Sequence, residues 1–238
     1  GWMVQAPNWD DLAWLREHRG IRRWCVVGND YVWPRETSVH TRRHLVDAGM
    51  EFVGEAFVPL GGRDFADALA TVAASEAQGV VLLMVGADAA AFNRAFARSG
   101  LDCDVIRLAM MIGEDVLYAS GTTGARGLFT ACGYFDSIVS PASLEFGARY
   151  RSRFGATAPA LNNIGESCYE GLMLFASLAQ AGRGLDLTSF DRASQGLSYA
   201  GPRGEVKMRG VHTEQPVYIA EAGDHQFDVL DELREHIS

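Results

Sequence analysis

Val26-Val27-Gly28-Asn29-Asp30-Tyr31-Val32-Trp33-Pro34-Arg35-Glu36-Thr37 is the stretch that decides the fold. An apolar strand runs into a glycine and a short polar-aromatic loop, and a helix opened by Pro34 follows, where proline costs no hydrogen bond. Two aromatic rings and several backbone N–H groups are thereby placed at the carboxyl end of a strand. In open α/β sheets that is where small ligands are held. The loop carries no nucleophile, no metal cluster and no array of phosphate-binding glycines. It is suited to holding a small molecule rather than reacting with it.

Working outward, the first half alternates helix and strand with short connections. Asn8 is placed to cap a helix carrying Trp9, Leu12, Ala13 and Leu15 that ends near Gly20. Residues 23–27 form a buried-type strand, and 51–58 form the next. Asp64 is expected to cap a helix with Phe65, Ala68, Leu69 and Val72 on one face. The run from Val80 to Val85 is apolar throughout, as in a parallel strand covered on both faces. A helix over 88–98 and a strand over 105–109 continue the rhythm. Successive βα units predict a doubly wound parallel α/β sheet with right-handed crossovers.

The rhythm then changes. Residues 128–135 are extended, and two helices follow, one from Pro141 to Gly155 and one from about Ile164 to Ala181. Cys168, Leu172, Phe175, Ala176 and Ala179 share a face of the second. Helices without intervening strands need a sheet from elsewhere. The tail reads as β structure at 205–208, 217–220 and 226–230, with a turn at Gly223-Asp224.

The 238 residues carry a formal net charge of -9, 48% hydrophobic and 21% charged side chains, the balance of an ordinary globular protein. An acidic chain with no Lys/Arg block argues against nucleic acid or an anionic membrane as direct partner. Its apolar runs are too short to span a bilayer, so direct membrane insertion is not expected. Cys25, Cys103, Cys132 and Cys168 are scattered without metal-ligand spacing, and buried free thiols are favoured over disulfides, which leans towards the cytosol. His40 and His44 lie i, i+4 but flank Arg42 and Arg43, which reads as a solvated helix face rather than a metal site. No metal and no cofactor is expected. No Gly-x-Ser-x-Gly elbow and no Gly-x-x-x-x-Gly-Lys phosphate loop occurs. Gly121-Thr122-Thr123-Gly124 reads as a loop.

The segment Gly28 to Thr37 closely resembles a loop of the type I periplasmic-binding-protein superfamily. The branch is the one of urea-type ABC transporter binding proteins and the amide sensor of an amidase operon. That pattern is glycine, a small polar residue, Asp-Tyr, an apolar residue, an aromatic, then Pro-Arg. Ile112-Gly113-Glu114-Asp115 is similar to the family's acidic turn, and residues 134–141 to its lobe-crossing segment. Gly165-Glu166-Ser167-Cys168-Tyr169 resembles a family helix start. Gly201-Pro202-Arg203-Gly204-Glu205-Val206, His212 and residues 216–221 resemble its last crossover and terminal strands. The resemblance implies a two-lobed receptor with a ligand cleft. Residues 6–131 plus 200–238 would be the second lobe, and 132–199 the hinge crossover with a helical remnant of the first. Family members begin with several βα units that this chain lacks, so the natural protein is expected to be longer. A helical remnant without its sheet would expose its apolar face.

The candidate ligand-binding set is Asn29, Asp30, Tyr31, Trp33, Val85, Gly86, Ala87, Met110, Met111 and Glu114, with no catalytic residue. Tyr31 and Trp33 either form a flat wall of the cleft or pack the lobe edge. Backbone groups at 29–31 and at Gly86-Ala87 would supply donors and acceptors, and Gly86 allows close approach. Relatives often carry Ser or Thr where Met110-Met111 stands. Methionine there implies a ligand with more apolar surface than urea, or else one of the two points into the core. Glu114 and Asp115 fit a helix N-terminal acidic pair better than a ligand contact. Asp30 fits an Asx-type turn, and Arg35 and Glu36 face solvent or the opposing lobe.

The leading expectation is a solute-binding protein that captures a small amide, urea-like or amino-acid-like ligand and presents its closed form to an ABC permease outside the cytoplasm. A cytoplasmic sensor of the same fold, closing onto a regulatory partner, is the runner-up. An α/β enzyme fragment is a third class, which amide turnover abolished by changing Asp30 or Glu114 would support.

Overall fold

The computed structural model describes residues 10–155, 157–210 and 212–233. Asn8, read as a helix cap, lies outside them. Two compact units emerge: Gly1–Ala131 with Ile219–Ser238, and Cys132–Tyr218.

The larger unit is built on a seven-stranded sheet. Its strands are β1 (Arg23–Asn29), β2 (Glu51–Val58), β3 (Gly79–Leu83), β4 (Ile106–Ala109), β5 (Leu128–Cys132), β9 (Val217–Ala222) and β10 (Phe227–Leu233), in the order β10-β9-β5-β4-β3-β1-β2. Strands β1 to β5 pair in parallel. β9 and β10 are neighbours joined through a turn that the Gly223 N–H closes on the Gln226 carbonyl at 2.8 Å. The apolar run predicted around residue 80 is the fully buried β3. The doubly wound α/β reading is thus what the chain adopts.

Helix α1 (Asp10–Arg19) leads into β1, and α2 (Val32–Asp47), α3 (Ala66–Ala74), α4 (Gly86–Ser99) and α5 (Glu114–Ala125) connect β1 to β5 in turn. The N-cap of α3 is Phe65 rather than the expected Asp64, which sits one residue earlier and accepts the Ala66 N–H at 3.1 Å. Helix α2 starts two residues before the predicted Pro34, which puts Trp33 in its first turn. Proline remains within the turn where its missing N–H has no acceptor to lose. The expected loop at 121–124 is instead a break inside α5: Gly121 sits at φ 70° and ψ 170°. Buried Arg107 of β4 serves this break, donating to Asn93 Oδ1 at 2.7 Å, to the Gly124 carbonyl at 3.1 Å and to the Arg126 carbonyl. Its guanidinium also stacks over Phe96 at 4.9 Å.

The smaller unit holds α6 (Pro141–Phe154), α7 (Asn163–Gly182) and α8 (Leu187–Ser194) with an antiparallel sheet of β6 (Ser198–Gly201), β7 (Gly204–Arg209) and β8 (His212–Glu214). Ser140, Asn162 and Asp186 cap the three helices through their side chains. Tyr134, Phe146 and Leu161 form its core, with Tyr169 stacked 4.6 Å from Phe146. Residues 200–218, assigned from sequence to the larger lobe, fall in this unit. For residues 200–214 the physical reason is pairing, because β6, β7 and β8 bond to one another in a sheet of their own, while Val217 and Tyr218 already begin β9 of the seven-stranded sheet. Along α7, Leu172 (72% exposed) and Phe175 (51%) are uncovered, and so is Cys168, whose thiol was expected to be buried.

Candidate functional site

The chain leaves β1 outward to β2 but leaves β3 the other way, to β4 and β5, although β1 and β3 are neighbours. That reversal is a topological switch point, and its carboxyl ends form the crevice where open α/β sheets take ligands. Gly28 pairs with Leu83 across it. A Cβ on Gly28 would lie 2.9 Å from Pro34 Cβ and 3.2 Å from Leu83 Cβ, so glycine is what lets the start of α2 settle on the strand ends.

Asn29 is 1% exposed and bridges the two strands. Its Nδ2 donates to Asp88 Oδ2 at 2.8 Å, and its Oδ1 accepts the Val85 N–H at 3.1 Å. Asp88 also accepts the Gly61 N–H at 2.7 Å and Arg63 at 2.6 Å. Burial pushes the Asp88 carboxyl up, but these donors, led by Gly61, hold it below the usual carboxylate range. Through Asp88, Asn29 therefore ties three loops together, with one amide N–H and the Oδ1 engaged in holding them. Asp88 and Arg63 were missed in the sequence; an aspartate in the first turn of the helix after β3 was the available signal.

Asp30 is not an Asx turn. Its carboxylate takes Arg35 Nε at 2.6 Å, while its own N–H donates to the Val58 carbonyl at 2.7 Å. The Arg35 hydrogen bond holds its pKa below normal. Arg35 also lies 4.6 Å over Phe57, so it is a packed partner of the loop. The Tyr31 N–H turns back to the Asn29 carbonyl at 3.1 Å. The backbone donors expected at residues 30 and 31 are thus engaged, one by the end of β2 and one within the loop.

The rings of Tyr31 and Trp33 are 6.2 Å apart at 38°, both half-buried, and burial raises the Tyr31 hydroxyl pKa. Gly86 and Ala87 are exposed at the first turn of α4, where helix N–H groups lack intrahelical acceptors. Gly86 has φ 50°, a conformation that favours glycine. Met110 and Met111 are half-buried beyond the end of β4, two strands from β1 and so roughly 10 Å along the sheet. Glu114 is 3% exposed in the first turn of α5, where the helix dipole favours its charge.

The structure thus brings Asn29 and Val85 into contact and sets Tyr31 beside Trp33, while Val85–Ala87 and the methionine pair follow at the next strand ends. At the ends of β1 and β3 Asp30 is paired with Arg35 and Asp88 with Arg63, while Glu114 and Asp115 stand at the start of α5. What stays open is aromatic, thioether and helix-terminal N–H surface, a lining for a small molecule with an uncharged or apolar face. A separate groove of about 550 Å³ lies between α3 and α4, lined by Phe65, Leu69, Ala91, Arg94 and Arg98. It is open, and Arg63, the ion-pair partner of Asp88, also lines it.

A family model described as periplasmic binding protein matches residues 10–226. Among solved structures, an ABC transporter substrate-binding protein from Sphaerobacter thermophilus superposes with a TM-score of 0.86 at 21% identity, covering 96% of this chain and 64% of that one. A solute binding protein of an ABC transporter from Rhodopseudomonas palustris, in complex with p-hydroxybenzoic acid, gives 0.81 at 21% identity over 97% and 64%. A leucine binding protein from Thermotoga maritima gives 0.80 at 14% over 94% and 64%. The chain spans 64% of the length of these structures.

Proposed function

We propose that this chain, which belongs to the periplasmic binding protein family, is the larger ligand-binding lobe and a helical part of a solute-binding protein that serves an ABC-type permease. It acts by binding and not by catalysis. The observation that carries the reading is the strand-end wall at the β1/β3 switch point, where Tyr31 and Trp33 stand beside the exposed start of α4. A second lobe closing on this wall would sandwich a ligand and remove it from water. The uncovered α7 face, with Leu172 and Phe175, supports a first-lobe sheet packed against it in the whole protein. Such a receptor works outside the cytoplasm.

The ligand is a small amide or amino-acid-like molecule with a planar or apolar body. Paired charges on this wall leave no cation here for a carboxylate, so any acidic group of the ligand is held by helix N–H groups or by the other lobe. Met110 and Met111 add polarizable apolar lining, which favours a body larger than urea. Isothermal titration of the full-length protein with urea, acetamide, butyramide, leucine and 4-hydroxybenzoate tests this. Ligands with an apolar body bind more tightly than urea; tightest binding to urea refutes the ligand class. Turnover of any amide, lost on changing Asp30 or Glu114, refutes the binding role itself.

A further inference from the structure

The smaller unit contains a charge cluster that ligand binding does not use. Arg203, in the turn between β6 and β7, is 3% exposed, and it meets two carboxylates of α7, Glu166 (0% exposed) and Glu170 (4% exposed). Its Nη2 pairs with Glu166 and also donates to Ser167 Oγ at 2.8 Å; its Nε is 2.5 Å from Glu170 Oε2. The backbone has been cleared to admit the cluster. A Cβ on Gly201 would overlap the Glu170 carboxylate, and one on Gly133 would lie 2.7 Å from Arg203 Nη1. On the far side, the Arg203 carbonyl accepts the Tyr218 hydroxyl at 2.9 Å.

The charges do not balance. One guanidinium faces two carboxylates, and Glu166 and Glu170 each keep one buried Oε1 with no hydrogen-bond donor. They are one helical turn apart on α7, where like charges repel. An uncompensated charge out of water is costly enough that the group takes up a proton instead. We propose that Glu166 and Glu170 share one proton across Arg203, forming a proton-dependent latch that fastens the β6–β7 hairpin to α7 and loosens as the proton leaves.

The ionisable groups facing Glu170 are Glu166 on its own helix, Tyr199 on β6 and Arg203 in the turn. Burial is the largest influence on both carboxyls, and it raises both. Glu170 is pushed up to about 7, while burial with Glu170 nearby takes the Tyr199 hydroxyl to about 12. Tyr199 therefore stays neutral across the range in which Glu170 titrates. Because the folded carboxyl binds its proton more tightly than the unfolded one, the latch is complete at low pH and is lost as pH rises through about 7.

Amide hydrogen exchange of the full chain, corrected for intrinsic rates, reads the latch residue by residue. All proteins carry Asp11→Asn, because Asp11 of the larger unit titrates in the same range. Protection of the β6 and β7 amides falls about tenfold from pH 6 to pH 8 in the parent, and less than about twofold in Glu170→Gln, which keeps shape without titrating. An equal fall in both, or no fall in the parent, overturns the latch. Glu166→Gln gives a second, independent loss of the pH dependence. Should neither variant fold, the ¹³C carboxyl resonances of labelled glutamate in the parent decide. One carboxyl with a midpoint near pH 7 supports the latch, and all midpoints below about 5.5 overturn it.

Discussion

Asn29→Ala is the change that most directly tests how the strand-end wall is held. The wild-type amide joins β1 to β3 through Asp88 Oδ2 at 2.8 Å and the Val85 N–H at 3.1 Å. A hydrogen bond to a charged group contributes about 1.5–3 kcal/mol, and a buried N–H left unpaired costs about 1–3 kcal/mol. Asp88 retains Gly61 and Arg63, so the two losses overlap, and about 3 kcal/mol is the expected destabilisation of the larger unit. With a urea slope of about 2–3 kcal/mol per molar, the midpoint falls by about 1 M. The assay is selective, because all five tryptophans lie between residues 2 and 33, within the larger unit. Urea unfolding followed by tryptophan fluorescence therefore reads that unit alone. A double-mutant cycle with Asp88→Ala should return a coupling of at least about 0.5 kcal/mol. A midpoint shift under about 0.2 M, or additive single changes, would refute the bridging role of Asn29.

Two further changes probe the same unit. Gly79→Ala puts a Cβ 2.5 Å from Trp24 Cζ3 in a fully buried site, so it costs about 1–3 kcal/mol, and the loss shrinks when Trp24→Phe is added; equal losses in both backgrounds contradict the clash. Asp11 is buried in the first turn of α1, and burial pushes its carboxyl up to about 7 against the Leu12 N–H that lowers it. Its raised value means that stability is greatest below about pH 4 and is lost as pH rises through about 7. Asp11→Asn should flatten that slope by a few kcal/mol in tryptophan-detected urea curves collected from pH 4 to 8, and an unchanged slope refutes the assignment.

Much of the larger unit was legible because its signals are local. A buried β-branched run, a glycine at its end and proline in the following first turn place β1 and α2 within two residues of the expected start. The break at Gly121 was readable as a loop because glycine runs mark weak helix, yet Arg107 restores enough carbonyl contacts to keep α5 nominally continuous. Strands β6 and β8 and helix α8 are short and carry too few periods to register, and β6–β8 form their own sheet, which groups residues 200–214 with the smaller unit.

At the site, residue types and strand ends were readable, but partnerships were not. Asn29 was read as a candidate ligand contact, and its hydrogen-bond partnership with Asp88, 59 positions away, gave no signal in the sequence. Asp30 was read as serving the backbone, whereas Arg35 one turn into α2 takes its charge. The Glu166–Arg203 pair spans 37 positions and gave no signal beyond two glutamates one turn apart. Strand, turn and helix starts depend on dihedral preferences and apolar periodicity within a few residues, so the chain carries them on its face. Hydrogen bonds and ion pairs depend on which distant groups are desolvated together. For that reason the loop from Val26 to Thr37 announces the family, while the packed chain alone shows that Asn29 holds Asp88 and the Val85 N–H and that the two aromatic rings lie half-buried side by side.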